Sequence, residues 1–301
     1  AWREKEIPTA SFDSIFNDGH EETIDVRGFA ELKYERDLGR ETRLLARTYY
    51  DRYEYYGTYP FNYAAPGDPI ERVINKDDTI GDWIGTEFQV TKTIEAHTLI
   101  VGGEYRENVR QLQHNYDRSP RFDYVDVNNS SRNFGLYAQA EVALRTNLLF
   151  NAGVRYDYYE TFGSTVNPRA GLIYNPWEPA TFKLLYGRAF RAPSDFELYY
   201  YSSDYSGSTD LDPETIDTYE LVHEQQLSSI YRLSSSLYWY EIQNLISQEE
   251  DTVNETLLFA NVDKVRASGL ELELEGRYES GLRAQASYAL QRTRDAKAGV
   301  D

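Results

Sequence analysis

The 301-residue chain contains no cysteine and no methionine. Without a thiol there is no disulfide framework, no thiolate nucleophile and no cysteine-based metal site. Basic residues are scarce beside acidic ones, 31 Lys+Arg against 50 Asp+Glu, for a net charge of −19. Such a chain repels nucleic-acid phosphates, which excludes DNA and RNA as partners. Long apolar runs are missing as well. The longest holds only a few residues, far short of the roughly 18–20 that a membrane-crossing helix needs. The opening Ala1-Trp2-Arg3-Glu4-Lys5-Glu6 has no apolar segment of the kind a secretion signal carries, so the chain reads as a mature or cut one. What it has in abundance is aromatic: 27 tyrosines and 13 phenylalanines, too many for a disordered acidic polymer and typical of strands.

Hydrophobic periodicity is two almost throughout, which is the pattern of half-buried antiparallel strands. Leu270, Leu272 and Leu274 alternate with Glu271, Glu273 and Glu275, and successive side chains of a strand point to opposite faces. Around residues 147–158, Leu148, Phe150, Ala152, Val154 and Tyr156 oppose Asn151, Gly153, Arg155 and Asp157. Twelve strands are expected, near 26–36, 42–56, 82–92, 98–109, 133–144, 148–160, 168–174, 181–189, 216–227, 231–245, 267–277 and 282–294. Their connections alternate between short turns (37–41, 93–97, 145–147, 175–180, 228–230, 278–281) and mostly long loops such as 57–81, 110–132, 190–215 and 246–266. Short turns at one end, long loops at the other and an apolar face describe an all-β, antiparallel transmembrane β-barrel better than a soluble sandwich.

A charged side chain on the lipid face costs about 2–4 kcal/mol at the bilayer midplane, so the leucine row must face lipid. Glu87, Glu104, Glu141, Arg155, Asp157, Glu271, Glu273 and Glu275 then line a polar lumen, where plug or water would meet them. The pairs Tyr49-Tyr50, Tyr55-Tyr56 and Tyr158-Tyr159 read as interfacial girdles.

Five pieces stand in one order: Ala152-Gly153-Val154-Arg155-Tyr156-Asp157; Asn167-Pro168-Arg169-Ala170-Gly171-Leu172-Ile173-Tyr174; Lys183-Leu184-Leu185-Tyr186-Gly187-Arg188-Ala189-Phe190-Arg191-Ala192-Pro193; Leu211-Asp212-Pro213-Glu214-Thr215 before Tyr219-Glu220-Leu221; and Asn261-Val262 before Ser268-Gly269-Leu270-Glu271-Leu272. In that order and spacing, the sequence from Asn151 onward resembles the TonB-dependent outer-membrane transporters. The resemblance implies a barrel of about 22 strands plugged by a separate N-terminal domain. It implies an active-transport receptor in the outer membrane of a Gram-negative bacterium, a monomer that binds a scarce iron-siderophore or cobalamin-like complex at extracellular loops. Energy would come from the TonB complex through the plug, with no cofactor and no enzymatic step. The twelve strands would be the sixth to seventeenth of the family's count, with the plug and both barrel ends lying elsewhere, and Gly299-Val300-Asp301 lacks the family's terminal aromatic strand. The first strand would then run down and the last up, so that both ends lie on the long-loop side, against the alternative of a self-contained 12-stranded porin or enzyme.

The family motif Phe190-Arg191-Ala192-Pro193 and the loop after it are the most informative stretch. Haem-importing members place a histidine between this box and a second one. Here no histidine lies between 190 and 215 and the second box reads Ser208-Thr209-Asp210-Leu211, which speaks against haem. Tyr199, Tyr200, Tyr201 and Tyr205 are candidate substrate contacts because rigid rings give contact area at small entropic cost; girdle and loop packing is their plain alternative. Arg110, Arg118, Arg121 and Arg132, with Tyr116, Phe122 and Tyr124, form a cationic-aromatic mixture suited to an anionic iron–catecholate, or else simply a solvated loop. The acid-rich stretches 13–22 and 68–78 have carboxylates for calcium but no EF-hand spacing. His20, His97, His114 and His223 are scattered, and there is no nucleophile elbow or phosphate loop, so no catalytic residues and no metal site are expected.

Overall fold

The structure, a computed structural model, describes residues 1–7, 9–201, 205–251 and 256–296. It is nearly all β. The strands are β1 (Trp2–Glu6), β2 (Glu22–Asp37), β3 (Thr42–Asn62), β4 (Arg72–Ile94), β5 (His97–Arg118), β6 (Arg121–Arg145), β7 (Leu148–Tyr159), β8 (Gly163–Trp177), β9 (Ala180–Arg191), β10 (Tyr205–Ser206), β11 (Glu214–Gln226), β12 (Tyr231–Asp251), β13 (Thr256–Arg277) and β14 (Arg283–Asp295), with one short helix α1 (Asp195–Tyr199). Twelve of them, β2–β9 and β11–β14, pair antiparallel with their sequence neighbours, and β1 adds to the outer edge of β2. The two-residue β10 pairs parallel with Leu257 and Leu258 of β13. Among the described residues no ladder joins β14 to β1 or β2, so the sheet is an open wall.

Strand ends differ from expectation at the long-loop side. Residues 57–81, 110–132 and 246–266 are mostly strand: β3 and β4 stay paired up to Asn62 and Arg72, and β5 and β6 up to Arg118 and Arg121 around Ser119-Pro120. Polar residues such as Asn75, Gln113, Asn115 and Asp117 fill these extensions, so the apolar alternation that marks the lower strands fades while the backbone ladder continues. The C-terminal Gly299-Val300-Asp301 lies outside the described residues.

Cross-strand register makes the two faces explicit, since directly paired residues share a face. Leu184, Leu221, Leu237, Leu270 and Leu290 lie on one line across β9, β11, β12, β13 and β14, and Leu184 is 58% exposed. Glu141, Asn151, Gly171, Leu185, Glu220, Tyr238, Gly269 and Gln291 form the matching line on the other face. That polar face is the concave one. Its β9–β11 connection reaches across to β5, where the Gln111 amide donates to the Asp195 carboxylate.

Glycines on the concave face act as saddles for long side chains. Tyr238 of β12 lies over Gly269 of β13 and donates to Gln291 Oε1 of β14 at 2.9 Å. Tyr137 of β6 crosses Gly102 of β5 to reach Gln89 Oε1 of β4 at 3.0 Å. Arg155 of β7 crosses Gly135 to Glu104, and Arg169 of β8 crosses Gly153 to Gln139. A Cβ at Gly269 would stand 2.7 Å from the Leu290 carbonyl oxygen, so only glycine admits the crossing ring.

On the apolar face, Tyr186, Tyr219 and Trp239 stand side by side, with ring centroids 4.9 and 5.5 Å apart. Two residues further toward the long-loop end, Arg188, Asp217, Glu241, Arg266 and Arg294 share the next register line of that face. Arg188 Nη2 lies 2.8 Å from Asp217 and Arg266 Nε 2.6 Å from Glu241. Aromatic rings capped by an ionic line are what an apolar-to-water boundary selects.

Candidate functional site

The β9–β11 connection is fastened at its root by the motif residues. Phe190 and Arg191 end β9, and the Arg191 guanidinium forks to two carboxylates: Nη1 and Nη2 donate to Glu197 at 2.9 and 3.0 Å, Nε and Nη2 to Glu214 at 2.7 Å each. Such bidentate pairs are the strong, directional ones. Burial pushes the Glu197 and Glu214 carboxyls up, but the bonds from Arg191, with Ser194 and the Ile246 amide, hold both below the usual range. Ala192 and Pro193 lead into Ser194, which caps α1 in a reciprocal capping box with Glu197. Leu198, 2% exposed, packs with Leu211, Ile246 and Phe259, with Tyr199 against them. Gly207 passes so close that a Cβ there would lie 2.8 Å from the Leu198 carbonyl. Asn261 closes the root, donating to Asp212 O at 2.9 Å and accepting from the Asp212 amide at 2.7 Å. Three motif pieces remote in sequence, at 190–193, 211–215 and 261, thus meet in one knot.

The knot presents α1 to the concave wall and leaves a cleft of about 270 Å³ between them. Tyr53, Trp83, Arg106, Asn108, Gln111, Gln113, Asp195 and Phe196 line it, and Arg110 enters the lining at a bulge. A chain of polar contacts runs along its floor. Arg106 Nε donates to Asn108 at 2.8 Å, Asn108 to Ser131 Oγ at 2.9 Å, Ser131 to Gln111 Oε1 at 2.8 Å, and Gln111 to Asp195. The Arg106 guanidinium stacks 4.7 Å over the Trp83 ring. Burial raises the Asp195 carboxyl while Gln111 and Arg106 pull it back. Gln113 is 6% exposed and its Nε2 has no hydrogen-bond partner among the described residues.

Higher on the same face, Asn75 donates to Asn115 and Asp117 at 3.0 Å, and Tyr63 and Tyr124 donate to Asp117 at 3.1 and 2.7 Å. Burial, with the charge of Asp78 beside it, pushes Asp77 up to about 6. Burial also raises Tyr200, which feels Asp77 across the gap.

Sequence candidates divide around this site. Arg110, Arg118, Arg121 and Arg132 are strand residues rather than loop residues, and alternation turns them to the convex face: Arg110 opposes Asp82, Arg118 opposes Arg121, and Arg132 opposes Glu107. Arg121 stacks 3.6 Å over Tyr116 and bonds Asp123 at 2.6 Å beside His114, so its charge is already matched. Where a loop was expected over 110–132, the β5–β6 ladder continues to Arg118 and Arg121. Tyr199 packs into the knot, Tyr200 faces the wall, Tyr201 is half exposed and Tyr205 begins β10. The lumen set holds one face. Arg155 lies 2.6 Å from Asp157, itself 2% exposed, and bonds Glu104, while Glu141, Glu271, Glu273 and Glu275 lie on the same side. Asp18 of the acidic stretch 13–22 is held by Arg72 at 2.5 Å and by His20. Trp83, Arg106, Gln111, Gln113 and Asp195 were not anticipated. Their signal was there: Gln111, Gln113, Asn115 and Asp117 put amides and a carboxylate on every second residue of one strand.

The family profile described as TonB dependent receptor-like, beta-barrel, matches residues 6–301. Among solved structures, the pyoverdine outer-membrane receptor FpvA from Pseudomonas aeruginosa PAO1, bound to pyoverdine, superimposes with a TM-score of 0.74 at 15% identity, over 94% of this chain and 47% of that one. The ferric-catecholate import receptor Fiu from E. coli K12 gives 0.69 at 17% identity, over 92% and 48%. The copper transporter OprC gives 0.69 at 15% identity, over 91% and 48%. The chain thus spans about half the length of these structures, and at such identities the likeness is one of fold.

Proposed function

Because this chain belongs to the TonB-dependent receptor β-barrel family, whose members are receptors rather than enzymes, we propose that it forms one wall of an outer-membrane receptor of a Gram-negative cell that imports a scarce nutrient complex, an iron chelate or a cobalamin-like compound. The wall is completed by strands and a plug outside these 301 residues, and the TonB complex supplies energy through that plug. The apolar face with its aromatic line meets lipid, and the polar concave face meets plug and water. The observation that carries the reading is the knot built by Phe190, Arg191, α1, Leu211 and Glu214: it holds α1 against the concave face, above the aromatic line, where a passive pore would be left open. Arg155, Asp157, Glu104 and the glutamates of β13 then form the polar lining beneath it.

Uptake of radiolabelled iron chelates and of cobalamin in a strain lacking the full-length gene tests this. Loss of one of these activities, its return on complementation and its collapse under an uncoupler are the expected results. Energy-independent entry of unrelated small solutes as the only deficit would instead identify a pore.

A further inference from the structure

We propose that the cleft between α1 and β3–β5 is a recognition subsite for an uncharged or cationic iron chelate bearing hydroxamate or amide groups. This rests on the uptake reading above and adds the class of cargo. The first observation is Gln113: a side chain more than nine-tenths buried, on the concave face, whose Nε2 donors find no partner among the described residues. Buried donors are nearly always satisfied, so one left open beside a cleft marks the place of an acceptor on a guest. The second is charge. Arg106 is engaged by Asn108 and Trp83 and faces Asp195, so one cation is balanced by one anion. Arg110 enters the lining at a bulge, but the wall above adds the carboxylates Asp77 and Asp117, which outweigh it, while Arg118 and Arg121 belong to the opposite face. A triply anionic tris-catecholate finds no surplus positive charge here, and desolvating it against carboxylates is unfavourable. A ferric trihydroxamate is formally neutral at its core. Its oxygens accept from an amide such as Gln113, and an ammonium or amide N–H on its arms suits Asp195. Tyr53, Trp83 and Phe196 supply flat apolar contact, and about 270 Å³ holds one arm of such a chelate.

Purified full-length receptor in detergent, titrated with ferrioxamine B and with ferric enterobactin while tryptophan fluorescence is followed, provides the test. Ferrioxamine B is expected to bind at least about tenfold tighter than the tris-catecholate. Gln113→Met, which keeps the volume and removes the donor, is expected to weaken it about 5- to 20-fold, and Asp195→Asn to weaken it without shifting the receptor's thermal unfolding. Tighter binding of ferric enterobactin, or no binding of either probe, overturns the assignment of cargo while leaving energy-dependent uptake of another complex to stand. Loss of binding in Arg121→Ala with none in Gln113→Met overturns it too, by returning recognition to the convex face.

Discussion

Gly269 and Gly187 lie on the same concave face, yet alanine at the two positions should behave in opposite ways. At Gly269 a Cβ would stand 2.7 Å from Leu290 O and fall on the ring of Tyr238, which crosses there to bond Gln291 at 2.9 Å. The backbone carbonyl belongs to a paired strand and cannot yield, so the ring must swing away and the strands must part. Overpacking of this kind costs about 1–3 kcal/mol, and losing the tyrosine bond adds about 0.5–1.5, for a total of about 1.5–4.5 kcal/mol. At Gly187 nothing lies within 4 Å of an added Cβ. There alanine should be neutral, or stabilising by about 0.4–1 kcal/mol through the unfolded chain. Urea unfolding of the full-length receptor in micelles measures both. The double variant Gly269→Ala/Tyr238→Ala should recover the part due to the ring but not the part due to Leu290, so the two changes should be markedly non-additive. Equal stability of Gly269→Ala and Gly187→Ala would refute the saddle reasoning.

Three further outcomes can be measured. Leu272→Arg should lower insertion or stability of the receptor by about 2–4 kcal/mol while Glu273→Gln is nearly silent; spin labels finding residue 273 in lipid would reverse the facing of β13. Arg191→Ala leaves Glu197 and Glu214 as unmatched neighbours and should expose 192–213 to limited proteolysis at a cost of about 1–3 kcal/mol, with Arg191→Lys intermediate because it loses the fork; an unchanged digestion pattern would show that the knot does not depend on Arg191. Asp77, raised to about 6, binds its proton more tightly folded than unfolded. It therefore costs nothing below about pH 4, and its penalty grows between about pH 4 and 6 to at most about 3 kcal/mol above that. Asp77→Asn should raise stability at pH 7.5 and not at pH 4, and an equal gain at both would deny the buried charge.

Where one face is apolar and the other polar, as along residues 267–277, sequence alternation reads directly into side-chain direction, and the twelve neighbour-paired strands were legible for that reason. Once a strand rises clear of the apolar belt, as β5 does after Asn108, both faces are polar and the same backbone looks like loop. The motif at 190–193 was readable as a motif but not as a clamp, because its partners at 197, 214 and 261 are brought to it only by the register of β9, β11 and β13. Gln113 was hidden in a different way: an amide announces itself only when the fold leaves it buried with nothing to bond.

The ionic line through Arg188, Asp217, Glu241, Arg266 and Arg294, one step beyond Tyr186, Tyr219 and Trp239, works as a load line on a hull. A strand advances about 3.3 Å per residue, so sinking the wall by a single step of the pattern would drag guanidinium and carboxylate groups from five strands into hydrocarbon together. Lifting it would bare the leucine row below. The five strands share one draught, and neither bobbing nor tilting is cheap. In the proposed outer-membrane setting, the α1 knot, anchored to these strands, would be held at a constant height above the bilayer, so a guest arriving from solution would always meet the cleft at the same depth.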